Sequence, residues 1–254
     1  MQPLAGLRVL VTRPAHQAAS LLIRLEDAGA QVQALPLLAI APPHNAEAAG
    51  SALRSFADAD FWIFTSANAV HGAAQIHAED WPVQLLALGQ ATVRALAARG
   101  HHAIAPEGGG SEDLLLWPEL TEVRGRRVLI VTGENPRSLL AEALRARGAT
   151  VGLAHCYRRE RIAHPPAVFA NAIEHADVVL LSSGEGLTAL LHGVPTTQQA
   201  RLLAMPLLLP SRRVAVQAQQ AGFTGDLLVP AAVSDAATVA RLEQWRPAPQ
   251  NGSP

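Results

Sequence analysis

DFWIFTSANAV, residues 60–70, opens on an acid, runs through four apolar residues and passes without a break into Thr65, Ser66 and Asn68, where a helical pattern begins. An apolar run with no alternation predicts a strand buried on both faces, the condition of a parallel sheet covered by helices. The hydroxyl pair and amide therefore stand where a strand ends and a helix starts. DVVLLSS at 177–183 repeats the same order of acid, apolar run and hydroxyl pair.

Outward from this pair, the first half of the chain shows five β-rich runs: RVLVT at 8–12, VQALPLLAI at 32–40, DFWIFTS at 60–66, VQLLALG at 83–89 and HAIAP at 102–106. Between them the spacing turns helical, as in AASLLIRLEDAG and TVRALAARG, each closed by a glycine suited to the residue after a helix. The second half answers in kind. RVLIVTG at 127–133 matches RVLVTRP, GATV at 148–151 matches GAQV at 29–32, LLLPSRRVAVQAQQAG matches LLALGQATVRALAARG, and DLLVP matches HAIAP. Ser111-Glu112 and Ser234-Asp235 each read as an N-cap followed by a first-turn acid. This predicts an α/β protein of two flavodoxin-like, Rossmann-type parallel-sheet lobes formed by an internal duplication. The runs 32–40 and 151–162 are the longest extended segments and lead to proline-marked joints, so they are expected to be linker strands joining the lobes. A ligand would sit between the lobes, facing the carboxyl ends of the strands.

Composition narrows the chemistry. Of 254 residues 49% are hydrophobic and 16% charged, enough for a real core, and no apolar run approaches the ~20 residues of a membrane span. The start of the chain shows no signal-peptide pattern, and Cys156 is the only cysteine, which together predict a cytoplasmic protein. Net charge is -1 with scattered basic residues, which predicts no nucleic-acid partner. All twenty basic residues are arginine, so Schiff-base chemistry and a Walker A lysine are excluded.

No glycine-rich nucleotide fingerprint follows the strands, since TRPAHQ and TGENPR stand where a G-x-G-x-x-G turn would. The strand ends instead carry hydroxyl, amide and arginine donors: Thr12 and Arg13; Thr65, Ser66 and Asn68; Thr92; Thr132, Asn135 and Arg137; Ser182 and Ser183; Ser211 and Arg212. Taken singly these are ordinary helix caps. Their recurrence along one edge of two repeats points to a ligand with several carboxylates or phosphates. The ten histidines lack the spacing of a metal helix such as H-E-x-x-H, and SSGEG at 182–186 is not a nucleophile elbow, so neither a metal site nor a hydrolase triad is expected. Tyr157, the only tyrosine, stands in HCYRRER. It reads either as a phenol donor or as a half-buried strand residue.

VTRP at 11–14, FTSANAV at 64–70, LGQATVRAL at 88–96, VTGENPRSLLAEALRARGATV at 131–151, CYRR at 156–159 and PSRRVAVQAQQAGF at 210–223 form an ordered series that resembles the uroporphyrinogen-III synthase family. The resemblance runs from about residue 4 to about residue 243. It implies one lobe from residues 1–37 with 163–254 and another from 41–156, whereas the tail RPAPQNGSP at 246–254 reads by its own composition as disordered. It also implies the family's chemistry: cyclisation of hydroxymethylbilane, a linear tetrapyrrole with eight carboxylates, to uroporphyrinogen III, with loss of water and inversion of the last ring. No cofactor is implied; a monomer is expected, with transient contact with hydroxymethylbilane synthase. Tyr157 matches the tyrosine that assists departure of the hydroxyl. Arg13, Thr65, Ser66, Asn68, Thr92, Asn135, Arg137, Ser182, Ser183 and Ser211 are carried over as substrate contacts, Ser211 standing in PSRRV where some members have a threonine pair. The competing expectation is a non-catalytic small-molecule binding or regulatory protein on the same fold.

Overall fold

A computed structural model describes residues 2–77, 81–82, 84–106 and 110–246. Val83, Gly108, Gly109 and the residues beyond Arg246 lie outside the described residues. Two compact units divide the chain, with boundaries at Ala39/Ile40 and Arg159/Glu160. In chain order the first unit begins with β1 (Arg8–Val11), α1 (Ala15–Asp27) and β2 (Gln31–Ala34). There follow β3 (Leu38–Ala41), α2 (Ala46–Ser55), β4 (Phe61–Phe64), α3 (Ala67–Ile76), β5 (Leu85–Ala87), α4 (Gln90–Ala97), β6 (Ala103–Ile104), α5 (Ser111–Leu114), α6 (Pro118–Thr121), β7 (Arg127–Gly133), α7 (Leu139–Ala146) and β8 (Thr150–Arg161). The first unit then resumes with α8 (Pro166–Glu174), β9 (Val178–Leu180), α9 (Gly184–Gly193), α10 (Thr196–Ala204), β10 (Leu207–Leu208), α11 (Arg212–Gln220), β11 (Leu227–Leu228) and α12 (Asp235–Trp245).

The sheets run β2-β1-β9-β10-β11 and β3-β8-β7-β4-β5-β6. The first is the 2-1-3-4-5 order of a flavodoxin-like sheet, and its pairs are parallel. In the second, β8-β7-β4-β5-β6 has the same order once β7 and β8 are counted first, as the matches RVLIVTG to RVLVTRP and DVVLLSS to DFWIFTS require. The buried reading of 61–64 holds. Trp62 and Phe64 enter a core with α2, α3 and α4, while Phe61 and Ile63 enter one with α5, α6 and α7. β1 divides likewise, Leu10 packing with α8, α9, α10 and α11, and Val9 and Val11 with α1 and α12. Full burial of Trp62 on β4 removes about 150–250 Å² of mostly apolar surface from water, the dominant stabilising term at that position.

The acid that opens each apolar run closes the amino end of its sheet. Asp177 accepts from the Arg8 backbone N–H at 2.9 Å and from the guanidinium at 2.5 Å, and its own N–H donates to the Arg8 carbonyl. Asp60 and Arg127 repeat the backbone half of this clasp at 2.8 Å, with Arg126 supplying the guanidinium. For Asp177, partial burial opposes ionisation, but the bonds from Arg8 outweigh it and hold the carboxyl below 3.8. A depressed carboxyl contributes stability that is fully present above its unfolded pKa and is lost as pH falls through its folded value. In urea titrations the wild type should exceed Asp177→Asn by about 1 kcal/mol at pH 7, small because Arg8 is 41% exposed, with the gap closing below about pH 4. An equal gap at pH 7 and pH 2.5 would refute the assignment.

Three local expectations need correction. The run 32–40 is two strands, because Pro36 has no N–H to give a ladder; β2 joins the five-stranded sheet and β3 the six-stranded one. The segment 151–162 is a sheet strand along most of its length, since Thr150 to Tyr157 pair with β7. Ser111 is the first residue of α5 and Gly110, at φ 111°, is its cap, whereas Ser234 caps α12 as expected. Gly29, at φ 94°, ends α1 as read: its N–H reaches the Glu26 carbonyl and that of Ala30 reaches Leu25. No helix among the described residues is long and apolar enough to cross a membrane.

Candidate active site

In each sheet the chain order reverses beside the central strand, between β1 and β9 and between β7 and β4, and ligands of open α/β sheets bind outside the carboxyl ends at such a point. In the second unit Thr65, just past β4, donates to the Thr132 hydroxyl of β7 at 3.0 Å. In the first, Thr12 donates to the Leu180 carbonyl of β9 at 2.8 Å. The hydroxyls thus tie the two strands together where they part to make room.

Helix starts along these edges share one geometry. Ser66, Ser183 and Ser211 are extended N-caps of α3, α9 and α11, accepting from Ala69, Gly186 and Val214. α4 has Gly89 in the same backbone conformation and so no side-chain cap. Thr92, in its first turn, is 4% exposed. Asn68 lies in the first turn of α3 and is half-buried. Ser182 is half-buried beside the cap of α9. Asn135, in the left-handed region at φ 54°, and Arg137 are exposed in the loop before α7. Arg13 is engaged: its guanidinium donates to Asp235 at 2.7 Å.

Tyr157 is brought in by a device that the strand pattern hides. Thr132 pairs with His155 and Gly133 with Tyr157, so Cys156 is the extra residue of a β-bulge in β8. A bulge breaks alternation and re-aims the side chains beyond it. Cys156 and Tyr157, neighbours in sequence, are accordingly both buried in the same core. Burial pushes the Cys156 thiol up to about 12, which leaves it as an inert filler. The Tyr157 ring lies on Gly133, where a Cβ would stand 2.7 Å from Cζ. Its hydroxyl lies 3.1 Å from Ser66 Oγ and accepts from Arg159 Nη2 at 2.9 Å, and the guanidinium carbon is 5.4 Å from the ring centroid.

Sequence reading singled out Tyr157 and Ser66 separately, and the structure places their hydroxyls 3.1 Å apart. It saw Arg159 only among the arginines near the phenol and missed that it bonds the hydroxyl, although on a strand residues two apart share a face. It also missed Glu134, which accepts from the His44 N–H at 2.6 Å and lies 2.7 Å from His44 Nδ1. The His44 backbone N–H is the main reason that this carboxyl is held below its ordinary 4.5. Among the described residues no group of three or more His, Cys, Asp or Glu is arranged to hold a metal ion.

A family model described as uroporphyrinogen-III synthase HemD matches residues 19–239. The uroporphyrinogen-III synthase of Escherichia coli is 32% identical over 225 residues, covering 85% of this chain and 92% of its own. That of Proteus mirabilis is 34% identical over 180 residues, covering 68% and 90%. Among solved structures, a mutant uroporphyrinogen III synthase of Thermus thermophilus superposes with a TM-score of 0.64 at 20% identity, covering 95% of this chain and 98% of that one. The Helicobacter pylori enzyme gives 0.62 at 17% identity, covering 94% and 100%. These two likenesses carry the fold, while the family match and the curated relatives carry membership: the chain belongs to the uroporphyrinogen-III synthase family.

Proposed function

We propose that this protein closes hydroxymethylbilane to uroporphyrinogen III, with loss of water and inversion of the last pyrrole ring, as a cyclising lyase of tetrapyrrole biosynthesis. The observation that carries this is the family match over 19–239, and the hydrogen-bonded phenol at the carboxyl edge of the second sheet supports it. The pyrrole nitrogen lone pair pushes out the terminal hydroxyl, and the Tyr157 proton goes with it, so that water leaves and an azafulvenium cation remains. The substituted carbon of the last ring attacks to give a spiro intermediate, which fragments and recloses inverted. The ring proton lost at rearomatisation returns to the phenol oxygen, and the balance closes.

The unassisted reaction closes at the unsubstituted carbon and gives the type I isomer. The protein's main task is therefore to hold one folded conformer. Thr65, Ser66, Asn68, Thr92, Asn135, Arg137, Ser182, Ser183 and Ser211 are proposed to meet the acetate and propionate arms, together with the free N–H groups of the helix starts. Arg13 takes part only if an arm competes with Asp235. A cytoplasmic, cofactor-independent monomer fits this reading, and transient contact with hydroxymethylbilane synthase would shorten the life of a substrate that closes by itself. Descent of both sheets from one duplicated segment is proposed on their shared strand order.

The test is incubation of the purified chain with freshly generated hydroxymethylbilane and separation of the isomers after oxidation. Uroporphyrin III is expected in excess of type I. Type I alone, at the rate seen without protein, would sink the proposal and leave a binding or regulatory role.

A further inference from the structure

Arg159 stands two residues beyond Tyr157 on β8, exposed itself but bonded to a phenol that is 3% exposed. From this geometry we propose that Arg159 is the positioning residue for the Tyr157 proton, fixing the direction in which the phenol donates and meeting the charge left on its oxygen. The proposal rests on Tyr157 as the proton donor of the proposed reaction.

Donors and acceptors around the phenol fit an arrangement in which it keeps its own hydrogen. A phenol oxygen has one hydrogen and two acceptor sites, and a guanidinium can only donate. Arg159 Nη2, at 2.9 Å, occupies one acceptor site. Ser66 Oγ accepts from the Ala69 N–H at 3.1 Å and donates its own hydrogen to the second acceptor site of the phenol at 3.1 Å. In that arrangement the phenol hydrogen stays on Tyr157 and is held for the departing hydroxyl. When it moves, the Tyr157 O–H bond breaks, a bond to the leaving oxygen forms, and negative charge develops on Oη beside a cationic N–H. A charge-assisted bond is about twice as strong as a neutral one, so Arg159 strengthens its hold as the transition state is reached. Ser66 and Gly133 fix the ring's place, while Arg159 brings positive charge to its oxygen.

Arg159→Ala should lower kcat roughly 10- to 100-fold, the worth of one hydrogen bond to a charged group, with KM changed less than about threefold. Guanidinium chloride at tens of millimolar should restore part of the lost kcat in Arg159→Ala and none in Tyr157→Phe. Arg159→Lys keeps the charge without the planar fork and should fall between the wild type and Arg159→Ala. In a Tyr157→Phe background, Arg159→Ala should cost less than about twofold more, because the two act as one unit. Arg159 as a mere carboxylate anchor would instead raise KM at constant kcat and multiply with the Tyr157→Phe loss; either result overturns the proposal. A wild-type chain that yields type I alone overturns the proposed function as well, and the wild-type control separates that failure from failure of the Arg159 variants.

Discussion

Gly72→Ala is expected to lower stability by about 3 kcal/mol or more, although alanine in place of an interior helical glycine normally gains up to ~1 kcal/mol. A Cβ on Gly72 of α3 would meet the Cys156 carbonyl oxygen at 2.2 Å and its carbon at 2.9 Å. Both are backbone atoms of β8 beside the bulge, so relief requires the helix to lift from the sheet. Such a shift also separates Ser66, the cap of α3, from the Tyr157 hydroxyl. Gly50→Ala in α2 is the control: its nearest neighbours, Arg54 Nη1 and Ile76 Cγ2 at 3.2 Å, are side-chain ends that can yield. Thermal unfolding should show Gly72→Ala lower by about 6–12 °C, at ~2–4 °C per kcal/mol for a chain of this size, and Gly50→Ala within a degree or two or slightly higher. Equal midpoints for the two variants would mean that α3 does not press on β8 as described.

Tyr157→Phe is expected to slow uroporphyrinogen III formation about 10²- to 10³-fold. General acids contribute about 10²–10⁴, and the lower part of that range applies because the nitrogen lone pair already drives the hydroxyl out. The ring keeps its seat on Gly133 and its place in the core, so the cost in stability should stay near 1 kcal/mol, the value of a net hydrogen bond. The isomer ratio adds a second readout. A slowed variant competes with spontaneous closure, so type I should rise as the protein is diluted while any product made on the protein stays type III. An unchanged kcat would remove Tyr157 from the chemistry and leave conformer selection alone to explain the reaction.

How much was legible in the sequence depended on whether a feature was local. The apolar run at 61–64 and its echo at 178–180 announced buried parallel strands because burial on both faces writes itself as uninterrupted hydrophobicity. Ser66, Ser183, Ser211 and Ser234 are caps for the same local reason. The Ser66–Tyr157 contact spans 91 residues and needs a bulge, which has no composition of its own. Period-2 reading puts Tyr157 on the face opposite Cys156, whereas the extra residue puts both in one core. Arg13 shows the converse case, since its place at a strand end was readable but its Asp235 partner, 222 residues away, was not.

The division of the first unit into two stretches of chain sets an order of events during synthesis. β1 is flanked by β2 and β9, and Arg8 finds Asp177 only 169 residues later. At about 5–20 residues per second, roughly 8–34 s separate translation of the two. In that interval residues 40–159 have all been made, and they can close their own sheet on the ribosome while β1 and β2 wait with an open edge. The last elements to be translated thus complete the sheet that the first ones began, and β1 gains its second neighbour only after β9 has been made.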